Sequence, residues 1–144
     1  MEKLKNVKVK TPKLSVLKKQ CWILFSRYIR LRDCLKTTGT TTHGKCYTCA
    51  NIVELRHGQA GHFVAGRHNA NLFSERGCHL QDAQCNIYLH GNTLEYRRQI
   101  VLEYGEGADL ELEKEAAVTK KFTIQELEDL IEHYKAEIKR LEES

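Results

Sequence analysis

Cys46-Tyr47-Thr48-Cys49 opens a stretch that runs through Gly61-His62-Phe63 and closes with Asp82-Ala83-Gln84-Cys85-Asn86 and His90-Gly91-Asn92. Cys-x2-Cys is a metal half-site, because two thiolates on one tight turn reach the same tetrahedral ion. A second close pair should complete the site. Cys85 supplies one member, but the residue three before it is Asp82. Either Asp82 ligates through oxygen, which zinc accepts, or Cys78 reaches in from the preceding loop. Three thiolates already make a soft site, and on that ground Cys78 is favoured as the fourth ligand. The competing reading leaves Cys78 and Cys85 as ordinary buried cysteines with no metal. Structural Zn2+ on Cys46, Cys49, Cys85 and one of the two candidates is the expectation.

Outward from the knuckle, residues 52–56 read as a short strand, Gly58 as a turn and residues 62–65 as a second strand. Residues 36–45 and 66–77 read as loops by composition. Residues 86–89 begin a helical turn beside the metal. Asn92-Thr93-Leu94-Glu95 then has the form of a capping box, before a helix through about Tyr104 with Gly105 as its stop.

The flanks are helical. Leu14, Leu17, Cys21, Leu24, Tyr28, Leu31 and Leu35 recur at spacings of three and four, and Trp22, Phe25 and Ile29 widen the stripe. Thr11-Pro12 offers its N-cap and first position. At the other end a short acidic helix covers 108–117. Thr123-Ile124-Gln125-Glu126 forms a second capping box, ahead of Leu127, Ile131, Tyr134, Ile138 and Leu141 at heptad spacing. That face is expected to pack on the N-terminal helix, with a homodimer as the alternative use.

The organisation expected of the 144 residues is therefore a basic flexible arm (1–13), an N-terminal amphipathic helix (14–36), a metal-braced core with its following helix (37–105), and an acidic C-terminal helical region (106–144), in one globular domain. The fold class is α+β, mainly helical. Residues 1–36 hold eleven Lys/Arg against two acids, and residues 106–144 hold six against twelve. A basic front and an acidic back suit a polyanionic partner, most plausibly nucleic acid. Arg27, Arg30 and Arg32 lie largely off the apolar stripe, where guanidinium groups could follow a phosphate backbone; Arg67, Arg76 and His79 are further candidates. No leader-like segment opens the sequence, and no stretch approaches the roughly 20 apolar residues of a membrane span. A cytoplasmic setting follows, in which six cysteines argue for metal or burial and not disulfides.

A histidine on a strand and an asparagine at a helix start, both held by a metal knuckle, are what a small metal-dependent nuclease needs. The histidine takes a proton from water, and a divalent ion held from one side by side-chain oxygens steadies the charge on the phosphate. His62 and Asn86 are the candidates.

These features, in order, resemble the phage NinG (Rap) recombination endonuclease family, a branch of the HNH or His-Me finger nucleases. The resemblance is carried by Tyr28-Ile29-Arg30-Leu31-Arg32-Asp33, Cys46-x2-Cys49, Ala60-Gly61-His62-Phe63, Phe73-x-Glu75-Arg76 and His79-x-Gln81. Cys85-Asn86, Gly91-Asn92 with Tyr96, and Thr123-Ile124-x-Glu126 complete it. It implies a zinc-braced ββα-metal core between the two amphipathic helices, in a bacterial host cell. It also implies Mg2+- or Mn2+-dependent cleavage of branched DNA such as Holliday junctions, with His62 as general base and Asn86 as ligand of the catalytic ion. This chain departs from the pattern where Gly61 replaces an acid often found before the base, where Gln59 replaces an aspartate, where Gly77 replaces the loop-propping asparagine, and at Asp82. The alternative from another class is a zinc-stabilised, structure-specific DNA-binding protein that does not cut.

Overall fold

The computed structural model describes residues 13–66 and 69–144. The Thr11-Pro12 cap, most of the basic arm, Arg67 and His68 lie outside the described residues. Helix α1 spans Leu14–Thr38 and ends where Gly39 turns left-handed at φ 75°, its N–H reaching the Leu35 carbonyl. Strands β1 (His43–Lys45) and β2 (Ile52–Glu54) form one antiparallel pair. A 3-10 turn over Leu55–His57 leads to β3 (Gln59–His62), which pairs antiparallel with β4 (Cys78–Gln81). A five-residue π-helical turn (Gln84–Tyr88) follows, then α2 (Thr93–Tyr104), α3 (Ala108–Ala116) and α4 (Ile124–Glu142).

The two long helices make the framework. Leu17 and Cys21 of α1 cluster with Leu127 and Ile131 of α4, while Phe25 and Tyr28 cluster with Tyr134, Ile138 and Leu141. Early residues meet early and later meet later, so α1 and α4 run in the same direction. The heptad residues of α4 are thus spent inside the protomer on α1. The Thr123 capping box is complete: Thr123 Oγ1 accepts from Glu126 N at 3.1 Å, and Glu126 Oε1 accepts from Thr123 N at 3.1 Å. Leu127 is fully buried. Leu127→Ala should therefore cost about 2–5 kcal/mol, read as a lower urea midpoint with an unchanged slope.

Helix α1 also carries the sheets. Asp33 is buried; its Oδ2 accepts from Leu80 N at 2.8 Å and its Oδ1 from Arg32 Nε at 2.8 Å. Arg32 then donates to the Glu75 and Cys78 carbonyls at 2.8 and 2.9 Å. This pair clamps β4 to the helix.

Four local expectations are corrected. The 36–45 loop contains β1, a strand hidden by Gly44, whose missing Cβ would stand 2.8 Å from Leu80 Cδ2 and 2.9 Å from Cys34 Cα. The second strand lies at Gln59–His62 instead of 62–65, because Phe63 leaves the sheet to pack with Tyr96, Ile100, Ala108 and Leu112. Cys78 begins a strand and is no loop residue; β4 is buried at all four positions, so no alternation marks it. Asn92 makes no capping bond: it sits left-handed at φ 49°, its Nδ2 lies 3.6 Å from Cys85 Sγ, and Glu95 pairs with Arg98. Among the described residues no helix is long and apolar enough to cross a membrane.

Candidate metal centre and the histidine–asparagine pair

The turn after β1 builds the first half of the metal centre. Cys46 N donates to the Asn51 carbonyl and Ala50 N to the Cys46 carbonyl at 2.8 and 2.9 Å, with Ala50 left-handed at φ 62°. Tyr47 N docks on the Leu80 carbonyl at 2.8 Å, so the knuckle is hung from the end of β4. The second half is the start of the π-helical turn, where Asp82 Oδ1 accepts from Cys85 N at 2.8 Å. Cys46, Cys49, Asp82 and Cys85 thereby bring one ligand atom each to within 4.8 Å of one another. Asp82 Oδ2 lies 3.1 Å from Cys49 Sγ.

This cluster of three sulfurs and one carboxylate oxygen could hold a zinc ion, and its donor set suits one. Cys78, the favoured fourth ligand, is not in it. Its side chain is fully buried among Phe25, Ile29, Ala60 and Tyr134, and burial pushes its thiol well above the ordinary value. It is a core residue, and Asp82 takes the fourth position. Burial also works against ionising Cys46, but hydrogen bonds from the Asp82 backbone and from Thr48 bring it below the usual thiol range. Asp82 is likewise held below the usual carboxylate range: burial opposes, but the Cys85 amide and the Cys49 thiol outweigh it. Burial pushes the Cys49 and Cys85 thiols the other way, up, so a cation that bound here would displace their protons.

His62 is the last residue of β3, paired with Cys78 of β4. Its Nε2 bonds the Leu72 carbonyl at 2.9 Å, and its ring stacks on Trp22 of α1 with centroids 5.2 Å apart and planes at 21°. A carbonyl only accepts, so the proton sits on Nε2 and Nδ1 presents a lone pair. Burial lowers the histidine's pKa, outweighing the Leu72 bond that would raise it, and the ring is neutral near pH 7. Asn86, on the π-helical turn, donates from Nδ2 to Gln59 Oε1 at 2.5 Å. Its Oδ1 stands 2.9 Å from where a Cβ on Gly61 would lie. Asn86 thus lies against Gly61, the residue that precedes His62.

Gly77 was expected in the place of a loop-propping asparagine; the prop comes from elsewhere in the same loop. Asn71 Nδ2 donates to the Val64 carbonyl at 2.5 Å, and Asn69 Nδ2 to the Ala116 carbonyl at 2.7 Å. Trp22 and Leu72, which set the ring's orientation, carry no sequence signal beyond being apolar.

The charged candidates are placed less openly than the sequence suggests. His79 is enclosed: it stacks on Tyr47 at 3.7 Å, bonds Tyr96 and Tyr104 at 3.2 and 2.9 Å, and is 2% exposed. It is out of reach of a phosphate. Burial lowers its pKa, so it is neutral, while Glu103 beside it is held well below the carboxylate range by its bonds to His79, Lys36 and Tyr47. Arg32 is committed to Asp33 and two carbonyls, and Arg30 to the Ser26 and Leu55 carbonyls at 3.2 and 3.0 Å. Arg27 pairs with Glu142 and Arg76 with Glu111, both at exposed surface where such pairs are worth ~0–1 kcal/mol and open readily.

Fold and site together define a small, mainly helical α+β protein with a cluster of three cysteines and an aspartate that could hold a metal ion. The chain matches the family model described as bacteriophage lambda NinG protein over residues 1–144, and it belongs to that family. Membership suggests a phage recombination-related function. No curated protein and no solved structure gives a significant match.

Proposed function

We propose that the protein is a metal-dependent endonuclease acting on branched recombination intermediates such as Holliday junctions. The observation that carries the reading is a neutral histidine, His62, with no partner on Nδ1 among the described residues, directly following the glycine against which the Asn86 side-chain oxygen lies. His62 takes a proton from the attacking water at Nδ1, while the Leu72 carbonyl and Trp22 hold the ring in that tautomer and plane. Asn86 Oδ1 belongs to the ligand set of a Mg2+ or Mn2+ ion, distinct from the zinc. Such an ion stabilises the leaving oxygen and the phosphate charge when bound. Cys46, Cys49, Asp82 and Cys85, around zinc, fix the turn that carries Asn86 and so set its distance from β3. Exposed Arg27 and Arg76 can exchange their carboxylate partners for phosphates.

The test is cleavage of a four-way DNA junction in Mg2+ or Mn2+, with linear duplex of the same sequence as control. Cleavage of the junction over the duplex supports the reading. Salt-sensitive binding with no cleavage in either metal would replace it with the DNA-binding protein that does not cut.

The pH dependence has a definite sign. A base must be unprotonated, and burial lowers the pKa of His62, so the acid limb of kcat/KM should fall below the ~6.5 of an ordinary histidine. Activity should hold from pH 7 down to about 6.5 and decline beneath it; an acid limb centred above 7 would exclude His62 as the base.

A further inference from the structure

We propose that Gln81 supplies a second oxygen ligand to the divalent cation placed above at Asn86, delivered from the facing strand through the gap left by Gly61. The proposal rests on the nuclease reading and names a residue of the same site. Gln81 is fully buried in β4, opposite Gln59 in the strand register. Its Nε2 donates to Thr48 Oγ1 and to the Gly91 carbonyl, both at 3.0 Å. The Gly91 carbonyl can only accept, so the amide cannot be turned over, and Oε1 must face the other way.

That oxygen has no hydrogen-bond partner among the described residues, and a buried acceptor without one is rare in a native protein. It presses against Gly61, where a Cβ would overlap it outright, and the same point lies 2.9 Å from Asn86 Oδ1. Asn86 has turned its nitrogen away, toward Gln59 Oε1. Two carbonyl oxygens therefore lie against the same face of Gly61, and that of Gln81 has no donor among the described residues. Like dipoles repel there, and a hard cation, which takes carbonyl oxygens from Asn and Gln, relieves the repulsion.

Gly61 is then more than a lost acid. Any side chain at this position would expel the Gln81 oxygen, so glycine at 61 and glutamine at 81 work as a pair. The aim of Gln81 is set by the cysteine cluster: Thr48 Oγ1, which receives its amide, lies 3.5 Å from Cys46 Sγ. Zinc binding would thus orient a ligand of the second ion as well as the turn that bears Asn86.

The experiment is Mn2+ titration of the zinc-loaded full chain without DNA, read by loss of the free-ion electron paramagnetic resonance signal. Asn86→Ala, Gln81→Leu and Gly61→Ala should each weaken binding on the order of 10-fold or more, with zinc content unchanged. Gln81→Glu, of the same length, should tighten it by adding a charge. Wild-type affinity in Gln81→Leu and Gln81→Glu, with loss only in Asn86→Ala, would overturn the role of Gln81 and leave the nuclease reading standing. No Mn2+ binding by the wild type would remove the cation at Asn86, and this proposal with it. Should Gln81→Leu fail to fold, Gln81→Glu decides: tighter binding supports the proposal, and equal or weaker binding overturns it.

Discussion

Replacing His62 with alanine should lower junction cleavage by about 10²–10⁴-fold while leaving junction affinity within about twofold of wild type. The separation follows from where the ring lies. His62 is half-buried, its Nε2 spent on the Leu72 carbonyl and its face on Trp22, so it offers substrate little besides the Nδ1 lone pair. Affinity for DNA comes mainly from phosphate contacts and their released counterions, which this substitution does not touch. His62→Gln is the useful companion, since it keeps a polar group of similar reach without a base. Cleavage by either variant at more than a tenth of the wild-type rate would remove His62 from the chemistry. A parallel loss of affinity would show that the ring is holding the loop through Leu72 instead.

Removing the metal from the cysteine cluster should be the largest structural perturbation available. Purified protein should contain one zinc per chain, and chelation should lower the melting temperature by more than about 10 °C, because metal affinity held only by the folded state is folding free energy. The cluster joins the turn after β1 to the turn after β4: Cys49 is exposed, and Asp82 and Cys85 reach it across 33 residues or more of sequence. Without the ion, the four side chains are left with weak contacts such as the Cys49 thiol to Asp82 Oδ2 at 3.1 Å. The variants separate the two candidate fourth ligands. Cys85→Ser and Asp82→Ala should lose zinc, whereas Cys78→Ala should keep a full equivalent and suffer only a core cavity. Asp82→Cys should tighten the site by exchanging an oxygen for a softer thiolate. Full zinc in Asp82→Ala, or its loss in Cys78→Ala, would return Cys78 to the site. The helix pair should outlast metal removal, since the contacts of α1 with α4 lie in clusters that contain none of the four ligands.

These two expectations depend on features of unequal visibility. The inward faces of α1 and α4 were legible because helical burial repeats every 3.6 residues, and Leu17, Cys21, Tyr28 and Leu31 on one side and Leu127 to Leu141 on the other obey it. The Thr123 cap and the Gly105 stop were legible because each is satisfied within four residues of chain. Cys46 and Cys49 were legible for the same reason: a Cys-x2-Cys turn is a local object.

What the chain does at a distance was not. Nothing near Cys78 or Asp82 says which of them meets Cys46; that follows from the pairing of β4 with β3, which buries the cysteine and leaves the aspartate at the strand's end. The arginines of α1 read as free charge, yet Asp33 and the carbonyls of Leu55, Glu75 and Cys78 claim two of the three. Gln81 stood in the sequence only as part of His79-x-Gln81, with no role attached, and only the meeting of β3, β4 and the π-helical turn exposes its lone oxygen near Asn86. The sequence by itself determined the helices, their faces and the first half of the metal knuckle, because short-range periodicity and turn chemistry encode them. The fourth ligand, the tautomer of His62 and the company of Asn86 were decided by tertiary structure, because each depends on residues brought together from distant parts of the chain.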